Sequence, residues 1–110
     1  MEDTSENTVL CGANSYQRKY YFNEKFKKLP DDVKNALKVL CVLHTEDVGG
    51  VLMLEFTPEG ELILREEVDE ADYNFDEIGS ALKIKQYRDE YGEMFRALEL
   101  FYQAVVRLGV

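Results

Sequence analysis

Thr57-Pro58-Glu59-Gly60 is the stretch that leaves this chain the fewest choices. Proline in second place presets the first turn dihedral, and glycine in fourth place accepts the left-handed backbone that closes a type I turn. On either side lie Val51-Leu52-Met53-Leu54-Glu55-Phe56 and Glu61-Leu62-Ile63-Leu64-Arg65-Glu66, both short and rich in strand-forming side chains. An antiparallel hairpin over 51–66 follows. Leu52, Leu54 and Phe56 share one face of its first strand, and Val51 and Met53 make the other face apolar as well. That strand is expected to be covered on both sides, by a helix on each face or by a second chain.

The other elements follow from spacing. Aromatic residues crowd Tyr16 to Phe22, which predicts a strand near 16–22 with Tyr20 and Phe22 on one face. Phe26 and Leu29, three apart among charges, suit a single helical turn. Pro30-Asp31-Asp32 opens a helix near 31–44, and Val33, Ala36, Leu37, Leu40 and His44 recur at helical intervals. Asp47-Val48-Gly49-Gly50 breaks it. A second amphipathic pattern runs near 76–108 as one long helix or two in series, with Gly92 the natural place for a break. The fold class is α+β: a small antiparallel sheet of about three strands packed against a helix and a long C-terminal helix. With 110 residues, 45% of them apolar, residues 9–110 suffice for one domain. Residues 1–8 read as a polar, disordered leader without a signal or transmembrane pattern, so the expected location is cytoplasmic. Leu10-Cys11-Gly12 lacks the preceding apolar stretch that lipidation needs.

Leu10-Cys11-Gly12-Ala13-Asn14-Ser15-Tyr16, Lys19-Tyr20-Tyr21-Phe22-Asn23, Thr45-Glu46-Asp47-Val48-Gly49-Gly50 and Phe75-Asp76-Glu77-Ile78-Gly79-Ser80 together resemble an uncharacterised family of small bacterial proteins. The resemblance covers nearly the whole chain from Leu10 onward. It implies a bacterial cytosolic protein and transfers no catalytic or binding residue.

The formal net charge of −9 is unevenly placed. Glu46 to Glu77 holds twelve acidic residues against Arg65 alone, whereas Ser15 to Leu40 holds seven basic residues against three acidic ones. An acidic surface repels phosphate backbones and anionic membranes, which disfavours nucleic-acid and membrane partners despite the basic stretch. Glu66, Glu67, Asp69, Glu70, Asp72, Asp76 and Glu77 are the candidate partner-binding residues, for a basic protein or for the basic end of a second copy. The first functional reading is therefore a small acidic protein-interaction module (an adaptor, regulator or inhibitor) able to form a homodimer.

Signals for chemistry are sparse, and the chain reads as a non-enzyme without cofactor, catalytic or metal-binding residues. Asp72 to Asp76 begins like a calcium loop, but Glu77 stands where glycine is needed and Lys83 where a bidentate glutamate is needed. His44, the single histidine, suits helix capping or packing. Cys11 and Cys41 have neither redox nor zinc spacing and read as free thiols, Cys41 buried. The alternative reading is a small-molecule binder or enzyme with a pocket between the hairpin and the long helix, lined by Tyr87 and Tyr91.

Overall fold

The computed structural model describes residues 6–106. Its elements are β1 (Thr8–Asn14), β2 (Lys19–Phe22), a 3-10 turn (Glu24–Phe26), α1 (Asp31–Val48), β3 (Val51–Phe56), β4 (Leu62–Glu67), α2 (Glu77–Glu90), α3 (Gly92–Phe101) and a closing π turn (Tyr102–Val106). The strands form one antiparallel sheet in the order β2-β1-β3-β4. Two hairpins thus lie side by side, and α1 carries the chain from one to the other.

The 51–66 hairpin forms as its turn chemistry requires. Gly60 takes φ 90°, its N–H donates to the Thr57 carbonyl at 2.8 Å, and the Thr57 N–H donates to the Glu61 carbonyl at 2.8 Å. The sheet, however, has a fourth strand that spacing did not reveal. β1 lies at its centre, where Leu10 to Ala13 are all buried, so the alternation that marks a strand is lost. A bulge between Val9 and Cys11 disturbs the period further. Thr8, taken above as the end of a leader, pairs opposite Phe56, and Met1 to Ser5 lie outside the described residues.

The strand expected near 16–22 is extended only from Lys19 to Phe22. Before it, the Asn14 side chain accepts hydrogen bonds from the N–H groups of Tyr16 and Gln17, at 2.9 and 3.2 Å, and folds the chain into a turn. Helix α1 runs one turn past His44 and ends where Gly49 adopts φ 89°. The pattern near 76–108 is two helices: Tyr91, at φ −111°, separates α2 from α3.

Helices α1 and α3 bury one face of the sheet. Cys11, Ala13, Leu52, Leu54, Phe56 and Leu62 meet Leu37, Leu40 and Cys41 of α1 and Phe95 and Leu98 of α3. Phe26, Phe56 and Tyr102 stack at one end of this core, the last two with ring centroids 4.4 Å apart. Helix α2 packs on α1 rather than on the sheet. No helix among the described residues is long and apolar enough to cross a membrane.

Candidate functional site

Three places bring reactive or recognisable groups together: a buried polar cluster, the open face of the sheet and a cavity beside the first hairpin. The buried cluster is centred on His44, whose ring is 1% exposed. Its Nε2 lies 3.3 Å from Glu66 Oε2 and 3.1 Å from Ser80 Oγ, and its Nδ1 lies 3.1 Å from the Tyr87 hydroxyl. Ser80 also donates to the Glu66 carboxylate. A carboxylate only accepts, so Nε2 carries the proton and Nδ1 accepts from Tyr87. Burial lowers the pKa of His44, and the nearby Glu66 carboxylate only partly offsets this. Burial likewise pushes the Tyr87 phenol up to about 12.

Serine, histidine and glutamate together suggest hydrolytic chemistry, but the geometry refuses it. In a nucleophilic triad the acid holds one imidazole nitrogen and the serine the other; here both share Nε2. Ser80 is also fully buried, with no surface from which to reach a substrate. The cluster instead ties β4, α1 and α2 together, so His44 is a packing residue with three long-range partners rather than a helix cap.

Of the seven acidic residues singled out above, five are engaged within the chain. Glu66 serves the histidine cluster and Glu67 pairs with Arg65. Asp69 accepts from the Ala71 N–H, Asp72 from the Asn74 N–H and the Tyr16 hydroxyl, and Asp76 caps α2 through the Gly79 N–H. Glu70 and Glu77 are exposed.

The sheet face turned away from α1 and α3 is more informative. Strand register sets out its rows: Lys19, Asn14, Val51 and Glu67 lie abreast, and next to them Tyr21, Gly12, Met53 and Arg65. Val9, Glu55 and Ile63 follow. A solvated antiparallel face normally carries polar residues, whereas Val9, Val51, Met53 and Ile63 here are apolar and only partly covered, and Tyr21 is 52% exposed. Met53 lies across Gly12 so closely that a Cβ there would collide with its sulfur. Within this face Glu55 is 3% exposed and held by Arg65 Nη2 at 2.6 Å and Nε at 2.9 Å, and by Asn7 at 3.1 Å. Burial acts to raise the Glu55 pKa, but the Arg65 and Asn7 hydrogen bonds outweigh it and hold the carboxyl below its usual range. Sequence reading noted the apolar outer face of β3 but missed Glu55, Arg65 and Lys19, because their alignment exists only in the register.

Between the second hairpin and the C-terminal helices a cavity of about 490 Å³ is lined by Glu59, Gly60, Glu61, Glu99 and Gln103, not by Tyr87 and Tyr91. Tyr87 packs against His44, and Tyr91 stacks toward Phe95. A second cavity, of about 620 Å³, lies between the β1–β2 turn and α1, lined by Ala13, Asn14, Ser15, Arg18, Lys19, Tyr20, Lys38, Val42, Thr45 and Glu46. Behind it Cys11 and Cys41 are buried free thiols with sulfurs 4.0 Å apart. The Cys11 contact and burial both raise the Cys41 pKa, which keeps it a thiol rather than a nucleophile.

No curated protein and no solved structure matches the chain. A family model described as a family of unknown function (DUF6145) matches residues 7–109, which takes in every element described above, and the chain therefore belongs to that family.

Proposed function

We propose that this protein is a small cytosolic interaction module that pairs through the open face of its sheet, and that the partner is a second copy of the chain. The observation that carries the reading is the apolar outer face, where a solvated sheet would be polar. Its charges favour a copy of itself. A two-fold axis parallel to the strands, between β1 and β3, lays each row of one copy over the same row of the other in reverse order. Lys19 of each copy then meets Glu67 of the other, Tyr21 meets Arg65, and Met53 meets Gly12, so that the two Met53 side chains lie side by side across the axis. The first contact is an ion pair and the second a cation–π pair.

The size of the face sets the strength. Four strands at about 4.8 Å spacing and six residues at about 3.3 Å rise give roughly 19 by 20 Å. That is about 400 Å² of projected area per copy, a face at the small end of specific protein–protein contacts. The dimer is accordingly expected to be weak, with micromolar dissociation. Compared with docking by the acidic residues 66–77, this reading has the advantage of apolar surface at Val9, Val51, Met53 and Ile63, which is only partly covered within the chain.

Sedimentation equilibrium over a micromolar concentration range tests it. Met53→Lys places two like charges at the axis and should leave a folded monomer. Lys19→Glu should weaken association about tenfold, since two symmetric rim pairs are lost and replaced by repulsion, and the swap Lys19→Glu with Glu67→Lys should restore it. A monomer throughout the range at low salt, or a swap that fails to rescue, would refute the pairing.

A further inference from the structure

The cavity between the β1–β2 turn and α1 carries a second inference, which shares Lys19 with the sheet pairing but rests on Arg18 and Lys38, neither of which takes part in that pairing. We propose that it binds a small organic anion bearing a phosphate or carboxylate group. Its volume of about 620 Å³ falls within the range of small-molecule sites. Arg18 and Lys38 line it, Lys19 stands at its rim, and Glu46 is the single acid among the lining residues. None of these three cations is within ion-pair distance of a carboxylate among the described residues, in a chain whose net charge is −9.

Arg18 is the most telling residue. Among the described residues it is the one non-glycine with positive φ, at 55°. Glycine or asparagine would close the same turn without strain, so the turn itself gives no reason for arginine. Strain of this kind is retained where a side chain has work to do, and a guanidinium fork matches the paired oxygens of phosphate or carboxylate. Asn14 spends its carbonyl oxygen on the turn, accepting from Tyr16 and Gln17, which leaves its amide N–H groups for an acceptor. Ala13, Val42 and the Tyr20 ring supply an apolar wall for the organic part.

The test titrates inorganic phosphate, pyrophosphate and citrate into the folded protein, read by amide chemical shifts and by melting temperature. At least one probe should shift the amides of Asn14 to Tyr20 and of Thr45. Pyrophosphate without citrate would assign a phosphate ligand, and citrate alone a carboxylate ligand. Arg18→Gly should melt at or above wild type, because it relieves the turn, yet bind the probe at least about tenfold more weakly. Lys38→Gln should weaken binding several-fold, and Lys27→Gln, outside the cavity, should not. Absence of any shift at millimolar probe, or Arg18→Gly binding like wild type, would overturn the proposal.

Discussion

Replacing Tyr87 by phenylalanine removes one oxygen from the interior while keeping the ring that packs edge-on against His44, with centroids 5.6 Å apart. That oxygen is the donor to His44 Nδ1 at 3.1 Å, on a ring 1% exposed. Without it a buried acceptor is left unpaired. Turning the imidazole tautomer gives no escape, since Nε2 would then lose its hydrogen bond to Glu66. An unpaired buried polar group costs about 1–3 kcal/mol. At about 4 °C per kcal/mol for a domain of this length, the melting temperature should fall by roughly 4–12 °C. The same cluster fixes a pH response. Burial lowers the His44 pKa in the folded protein, so the unfolded chain takes up a proton first as pH falls. Stability is therefore full above the unfolded value of about 6.5 and declines as pH drops toward the folded value, by at most about 1.4 kcal/mol per pH unit for one group. His44 is the single histidine, so the slope between about pH 7 and about pH 5.5 belongs to it. Urea denaturation at a series of pH values measures both effects, and His44→Gln should abolish the slope. A Tyr87→Phe protein as stable as wild type, or a flat wild-type profile over that range, would show that the cluster does not hold the neutral ring as described.

Two further outcomes follow from the sheet. Arg65→Met strips the guanidinium from Glu55, which is 3% exposed, and should cost about 2–4 kcal/mol in urea denaturation; adding Glu55→Gln should recover much of the loss. Gly12→Ala places a methyl group 2.8 Å from the Leu52 carbonyl oxygen and into the Met53 sulfur, which should cost about 1–3 kcal/mol. Met53→Ala in the same chain should relieve this only in part, because a backbone carbonyl cannot swing away as a side chain can.

What the sequence made legible was whatever rests on local chemistry. Thr57 to Gly60 specifies its own turn, Pro30 with two aspartates starts α1, and the weakness of the pattern around Gly92 marks the division between α2 and α3. β1 escaped because a central strand with a bulge has no alternation, and because Gly12, Ala13 and Asn14 are poor strand formers in isolation. The candidate sites were less legible still. His44 meets partners 22, 36 and 43 positions away, and no spacing announces that. Lys19 and Glu67 align through two intervening strands. The cavity beside α1 depends on how the β1–β2 turn sits against that helix, and the one between the second hairpin and the C-terminal helices is lined by Glu59 to Glu61, Glu99 and Gln103 rather than by the Tyr87 and Tyr91 stripe, which packs inside.

The order of the strands also sets a timetable for synthesis. β1 sits at the centre of the sheet but leaves the ribosome first, and its neighbour β3 ends at Phe56. At ~5–20 residues per second, the ~40 residues between them take roughly 2–8 s to appear. Until then the sheet consists of the β1–β2 ribbon alone, with α1 joining it only late in the interval, and a lone two-stranded hairpin is marginal in water. Leu10, Cys11 and Ala13, sealed in the finished molecule, spend that whole interval without their neighbouring strand β3 and most of it without a complete α1. A chain stalled shortly before Val51 should therefore be the form most readily engaged by chaperones.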